Sequence, residues 1–329
     1  MTPRVTVLMP VYNAAAHLQQ AIDSILNQTF ADFEFLIIND GSTDSSDKII
    51  RSYTDARIVY VANEVNLKLI ATLNKGIELA RGEYIVRMDA DDISLPPRIE
   101  KLLAFMDSTP NVGVCGSWFE SFGGKSKVTK YQSESDAIRL HMLHQCHLCH
   151  PSVILRKKVL LTNKLFYNKE YIHAEDYELW VRMGAYTKYA NIPEVLLRYR
   201  QHEDSVSNKY SDIQLENLKK ISKMAFRQLG IDINDEQLKL YNKLVYADFS
   251  CSNADLIELS QIIGQMVEAN KRSMFVEQSF LGYYLASRWE HMLYNAPVGG
   301  MLMRKLYFYP PLAGYMNNKA KAILKSIFK

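Results

Sequence analysis

Between Arg4 and Phe119 the chain alternates apolar, strand-like runs with amphipathic helical runs, and this alternation restricts the fold more than any other feature. "RVTVLMPVY", "FEFLIIN", "RIVYVAN", "YIVRM" and "VGVCGSWF" read as strands. Helical patterns lie between them. Leu18, Ala21, Ile22, Ile25 and Leu26 share one face, with Asn13 placed to cap that helix. Ile49 and Ile50 mark a second helix, and Leu69, Ile70, Leu73 and Ile77 are expected to point inward from a third over residues 66–80. "RIEKLLAFM" follows Pro96 and Pro97, as a helix start allows. Such repetition predicts an α/β fold with an open, mostly parallel sheet. No G-x-G-x-x-G follows the first strand, which argues against a dinucleotide-binding dehydrogenase.

The alternation stops near Gly123 and Gly124. A short helix is expected over 136–143, followed by "HPSVILRK", a helix "EDYELWVRMGA" and a strand-like "EVLLRYRQH". From about 210 to 294 the pattern is helical. Two regions follow: a catalytic α/β domain over residues 1–205 and a helical C-terminal region over residues 206–329.

Charge and cysteine usage narrow the setting. The net charge of only +3 says nothing by itself about nucleic acid, and no nucleic-acid partner is expected. Beyond Glu290 no acid remains, whereas Arg304, Lys305, Lys319, Lys321, Lys325 and Lys329 are basic and Leu306, Tyr307, Phe308 and Tyr309 are apolar or aromatic. That combination suits peripheral contact with an anionic membrane, the alternative being a solvated helix packed on the domain. Four cysteines fit a reducing compartment. No leader is visible and no apolar run reaches the roughly 18 residues of a membrane span, so a cytoplasmic protein is expected, with its tail at the inner face of the plasma membrane. "CHLCH", residues 146–150, has the spacing of a haem attachment site, but that chemistry implies export and a zinc site would want a second ligand pair; two buried thiols are the expectation.

The chemistry gathers at strand ends. "PVYN" follows the first strand, "NDGSTD" the second, and "DADD" the fourth. In a parallel sheet these ends share one edge, where ligands bind. In "NDGSTD" Gly41 permits a sharp turn, Asp40 offers an acceptor for a ring N–H, and Ser42 and Thr43 open a helix. Asp89, Asp91 and Asp92 repel one another unless a cation sits among them. Hard oxygen ligands suit Mg²⁺ or Mn²⁺, ions that typically also hold substrate phosphates.

"PVYN", "NDGSTD", "GEYIVRMDADD", "HPSVILRK", "AEDYELWVR" and "YRQHEDSVS", in this order, resemble glycosyltransferase family 2 over about residues 4–208. The resemblance implies a GT-A fold and inverting sugar transfer from a nucleotide-sugar, usually a UDP-sugar, to a saccharide or lipid-linked saccharide acceptor in polysaccharide or glycolipid synthesis. It implies that Pro10, Tyr12, Asn13 and Asp40 line the nucleotide pocket and that Asp89 and Asp91 are the DXD acids, Asp91 as direct metal ligand and Asp89 nearer the ribose. Within "AEDYELW", Glu175 and Asp176 form the catalytic pair, with Asp176 as base. His202 would reach the diphosphate or metal or serve a structural role, as would His150; Trp180 would stack under a sugar or join the core.

One departure stands out: the family commonly reads N-x-G-L where this chain has Asn66, Leu67, Lys68 and Leu69. A residue other than glycine disfavours positive φ, so the loop is expected to differ there, or Lys68 to place a charge near the phosphates. Two rival readings have a feature to meet. A nucleotidyltransferase would want a glycine-rich, basic loop where "PVYNAAAHL" has neither, and a non-catalytic binding module would be expected to lack the acids that are intact here.

Overall fold

The computed structural model describes residues 2–201, 211–296, 305–306 and 310–316. The chain divides into two compact units, residues 1–138 with 146–218, and residues 139–145 with 219–329.

The first unit holds a sheet of nine strands: β1 (Val5–Val11), β2 (Phe33–Asn39), β3 (Ile58–Ala62), β4 (Tyr84–Arg87), β5 (Ile93–Ser94), β6 (Val112–Phe122), β7 (Lys127–Thr129), β8 (Ile154–Arg156) and β9 (Lys188–Arg200). Their spatial order is β3-β2-β1-β4-β8-β6-β9-β5, with β7 beside β6. The first four in that order are parallel, β8 runs antiparallel to both β4 and β6, and β6 and β9 are again parallel. β8 lies inside "HPSVILRK" and separates β4 from β6, so the fifth strand expected from sequence does not pair with the fourth. This polarity carries the ends of β1, β2, β4, β6 and β9, and the start of β8, to one edge.

Helices α1 (Leu18–Leu26), α2 (Ser46–Arg51), α3 (Leu69–Leu79), α4 (Arg98–Ser108), α5 (Ser135–His141), α6 (Lys157–Thr162) and α7 (Glu175–Met183) connect the strands. Val5, Val7, Met9 and Val11 bury one face of β1, and Leu18, Ala21, Ile22 and Ile25 of α1 belong to the same core. On the other face α3 approaches so closely that a Cβ at Gly76 would stand 2.3 Å from Leu8 Cδ1, so only glycine fits.

α3 begins at Leu69 and not at Asn66, which leaves Leu69, expected inward, 38% exposed in the first turn. Residues 63–68 are used elsewhere, as the site geometry explains. Lys68 does not avoid positive φ: it sits at φ 74°, ψ 158°, a region in which side chains other than glycine's hydrogen are strained. Two hydrogen bonds hold it there, Leu67 N–H to Asp40 Oδ1 at 2.9 Å and Lys68 N–H to Asn66 Oδ1 at 2.8 Å.

In the second unit, residues 219–229 of α8 (Ser211–Leu229) join α9 (Asp235–Tyr246), α10 (Asn253–Ser273) and α11 (Gln278–Asn295). Reciprocal capping boxes, Asn234 with Gln237 and Ser252 with Asp255, start α9 and α10. Trp289 is buried and donates its Nε1–H to the Leu306 carbonyl at 3.1 Å. Leu306, read from sequence as part of the membrane-facing cluster, is therefore buried with this unit. Arg304, Tyr307, Phe308, Tyr309, Lys319, Lys321, Lys325 and Lys329 lie outside the described residues. No helix among the described residues is long and apolar enough to cross a membrane.

Lys68→Gly is expected to stabilise the protein by about 1 kcal/mol, because relief of about 1–3 kcal/mol of backbone strain exceeds the roughly 1 kcal/mol of extra chain entropy that glycine brings. Thermal unfolding measures this, and a melting temperature at or below wild type would show that the turn is not strained.

Candidate active site

The loops after β1 and β2 are joined by hydrogen bonds. Asp40 N–H donates to Val11 O at 2.7 Å, Asn13 N–H to Ser42 Oγ at 3.0 Å, and Ala15 N–H to Asp44 Oδ2 at 3.0 Å. In return Asn13 Oδ1 accepts Thr43 N–H at 2.8 Å. Asn13 takes φ 50°, a conformation asparagine tolerates, and does not cap α1; the residue at that cap is His17, whose side chain makes no capping bond to the helix. The reason is competition: the free N–H groups at the turn into α2 reach Asn13 first. Gly41, at φ 67°, backs onto the chain at Val65, where a Cβ would stand 2.7 Å from the carbonyl carbon.

This turn presents Asp40, only 3% exposed, whose Oδ1 accepts from Asn63 Nδ2 at 2.7 Å and from Leu67 N–H at 2.9 Å. Tyr12 (49% exposed) after β1, and Val65 (64%) and Leu67 (43%) after β3, leave apolar surface open at this edge. Pro10 is buried within β1. An exposed tyrosine ring and a buried acceptor at one sheet edge are features that a heterocyclic base could use.

β4 ends at the acids. One carboxylate oxygen from each of Asp89, Asp91 and Asp92 lies within 4.8 Å of the others. Asp92 is buried; its Oδ1 accepts Arg200 N–H at 2.8 Å, and its Oδ2 has no hydrogen-bond partner among the described residues. Arg200 Nε also donates to the Asp91 carbonyl at 2.7 Å, tying the end of β9 to the cluster. Buried Arg87 ion-pairs with Asp89. Buried Arg98 donates to the Arg87 carbonyl at 2.5 Å and to Met88 Sδ at 3.2 Å. Burial raises the pKa of Asp89, with Arg87 opposing and Asp91 adding; burial and then the charges of Asp89 and Asp91 push Asp92 well up. Three hard oxygen donors, one a buried orphan, and a surplus of negative charge fit Mg²⁺ or Mn²⁺. His202 lies outside the described residues.

The antiparallel course of β8 brings its approach to the same edge, where Val153 O accepts Arg87 N–H at 3.0 Å. There His150 Nε2 is 2.8 Å from the Tyr167 hydroxyl, and burial, then Arg87, pushes the His150 pKa well below its usual value. His150 is thus a neutral, partnered group. Trp180 is fully buried, edge-on to His150 with ring centroids 6.0 Å apart, so it belongs to the core and has no face open to a sugar. Cys146 and Cys149 are free thiols, Cys149 buried as expected and Cys146 only partly so.

α7 opens with Glu175, buried, and Asp176, part-exposed, whose Oδ1 accepts Tyr177 N–H at 2.7 Å. Burial, then Asp176, pushes Glu175 up to about 7. Burial also raises Asp176, opposed by the Tyr177 N–H and by Arg87. Arg87, paired with Asp89, also acts electrostatically on Glu175, Asp176 and His150, a role that sequence reading missed. Its signal was present: a lone arginine in the buried run "YIVRM" implies a paired charge. The arrangement gathers a buried acceptor, a cluster of three acids and a part-exposed carboxylate at one sheet edge.

Residues 6–187 match the family described as Glycosyl transferase family 2. A Haemophilus influenzae protein named "Uncharacterized glycosyltransferase" is 34% identical over 249 residues, 70% of this chain and 77% of that one. The Escherichia coli protein named "UDP-Glc:alpha-D-GlcNAc-diphosphoundecaprenol beta-1,3-glucosyltransferase WfgD" is 26% identical over 213 residues, 64% of this chain and 82% of its own. The solved structure of S. aureus TarS in complex with UDP-GlcNAc has a TM-score of 0.60 at 16% identity, covering 99% of this chain and 91% of that one, a likeness of fold.

The raised Glu175 pKa sets a stability difference with pH. The folded protein keeps this proton to about pH 7, whereas the unfolded chain loses it near 4.3. Its contribution therefore favours the folded state most below about pH 4 and fades as pH rises to about 7. Glu175→Gln removes the titration, so its stability relative to wild type is expected to rise by about 1–3 kcal/mol between pH 4.5 and 8. Denaturant melts at both pH values read this difference, and a pH-independent gap would rule out a perturbed Glu175.

Proposed function

The chain belongs to glycosyl transferase family 2, and from that premise we propose that it moves a sugar from a UDP-sugar to an acceptor hydroxyl, inverting the anomeric centre. The observation that carries this reading is the gathering of Asp40, the Asp89–Asp91–Asp92 cluster and Asp176 at one sheet edge. The E. coli relative, named for UDP-Glc and a diphosphoundecaprenol-linked acceptor, supports a UDP donor and a lipid-linked saccharide acceptor. We place the reaction at an anionic membrane surface reached by the basic tail.

Asp40 accepts the ring N–H of uracil, and Tyr12 and Asn13 shape the slot. Asp91, with Asp89 and Asp92, would hold Mn²⁺ or Mg²⁺, which when bound would supply positive charge to neutralise the departing diphosphate. Asp176 takes the acceptor's proton as its oxygen attacks opposite the diphosphate; the bond to the anomeric carbon forms as the phosphate–sugar bond breaks. Asp176 suits this role better than Glu175, because it is part-exposed whereas Glu175 is buried and largely protonated below about pH 7. Glu175, largely protonated below about pH 7, limits the charge gathered at the head of α7.

Calorimetry with UDP and Mn²⁺ tests the donor site: Asp91→Ala or excess chelator is expected to weaken binding at least about tenfold, and unchanged affinity would remove Asp91 from it. Asp176→Asn keeps the shape but cannot take a proton, so kcat is expected to fall about 10²–10⁴-fold with donor affinity nearly unchanged. Near-normal turnover would exclude Asp176 as base.

A further inference from the structure

We infer that Lys75 and Asn63 are positioning residues that hold Asp40 as a one-sided acceptor and so set the preference for a pyrimidine with a ring N–H. The inference rests on the reading of Asp40 as the contact to the base. Asn63, buried just beyond β3, stands between the two charged groups. Its Oδ1 accepts from Lys75 Nζ at 2.6 Å, and its Nδ2 donates to Asp40 Oδ1 at 2.7 Å, with a weaker contact to Thr72 Oγ1 at 3.5 Å.

The chemistry of the end groups fixes the amide between them. An ammonium only donates and a carboxylate only accepts. The Asn63 amide must therefore turn its oxygen to Lys75 and its NH₂ to Asp40; the flipped amide would set N–H against N–H at one end and oxygen against oxygen at the other. Leu67 N–H adds a second donor to the same Asp40 oxygen. With Oδ1 doubly engaged and Oδ2 given no hydrogen bond by a described residue, the carboxylate has one oxygen left to offer.

Uracil meets that oxygen with N3–H. Cytosine presents a lone pair at the same ring position and would face the carboxylate acceptor to acceptor, the mismatch by which a buried polar site rejects a near-isostere. Lys75 has no part in the chemistry at the sugar. Its effect should fall on nucleotide choice and KM and leave kcat at saturating donor alone.

The test is calorimetry of the full chain with UDP and with CDP, each with Mn²⁺, for wild type, Lys75→Met and Lys75→Arg. Wild type is expected to prefer UDP. In Lys75→Met, which keeps the alkyl chain but frees the amide to turn, UDP binding should weaken about tenfold and CDP binding change little, narrowing the ratio. Lys75→Arg, still a donor to Asn63, should restore most of it. An unchanged UDP-to-CDP ratio in Lys75→Met overturns the inference, as does equal loss of both nucleotides with a lowered melting temperature, which would mark Lys75 as a packing residue. A wild type that binds UDP no better than CDP overturns the donor reading itself and is recognised before any variant is made.

Discussion

The site is organised around a buried positive charge. Arg87 lies at the end of β4, ion-paired with Asp89 and with its charge felt at Glu175, Asp176 and His150, and Arg98 is bonded to its carbonyl. Isolated buried charges are expensive, and removing one partner of a buried pair typically costs about 3–5 kcal/mol. Without Arg87, Asp89 and the head of α7 would tend to be protonated and unable to hold a cation or accept a proton. The guanidinium nevertheless does not saturate the acids. Asp92 keeps an orphan buried oxygen and a strongly raised pKa, and that residual negative charge is what a divalent ion would answer.

Around this centre Asp40 is held in place by backbone more than by side-chain bulk. Asn13 and Ser42 stitch the loops after β1 and β2, and Gly41 lets the turn press against Val65. Residues 63–68 then close on Asp40 from β3. Lys68 bears the conformational cost of that closure at a positive φ, so α3 cannot begin before Leu69. Strain of this kind survives only where surrounding contacts over-determine it, and the two hydrogen bonds beside Lys68 do so. The GT-A fold thus supplies a rigid parallel edge, and short irregular segments supply its recognition.

The amino-acid sequence by itself determined the alternation of elements, the convergence of "PVYN", "NDGSTD" and "DADD" on one edge, and the family, because strand and helix periods and turn residues are local properties. Tertiary structure alone decided what each side chain meets. It buried Trp180 against His150, drew Asn13 off the helix cap and onto the next loop, inserted β8 between β4 and β6, and made Lys68 accept a glycine's conformation. It also brought Arg200 to Asp92, 108 positions away, and Lys75 through Asn63 to Asp40. The physical reason is the same throughout: the role of a buried polar group depends on partners that only folding brings within hydrogen-bond reach, and no local pattern encodes that distance.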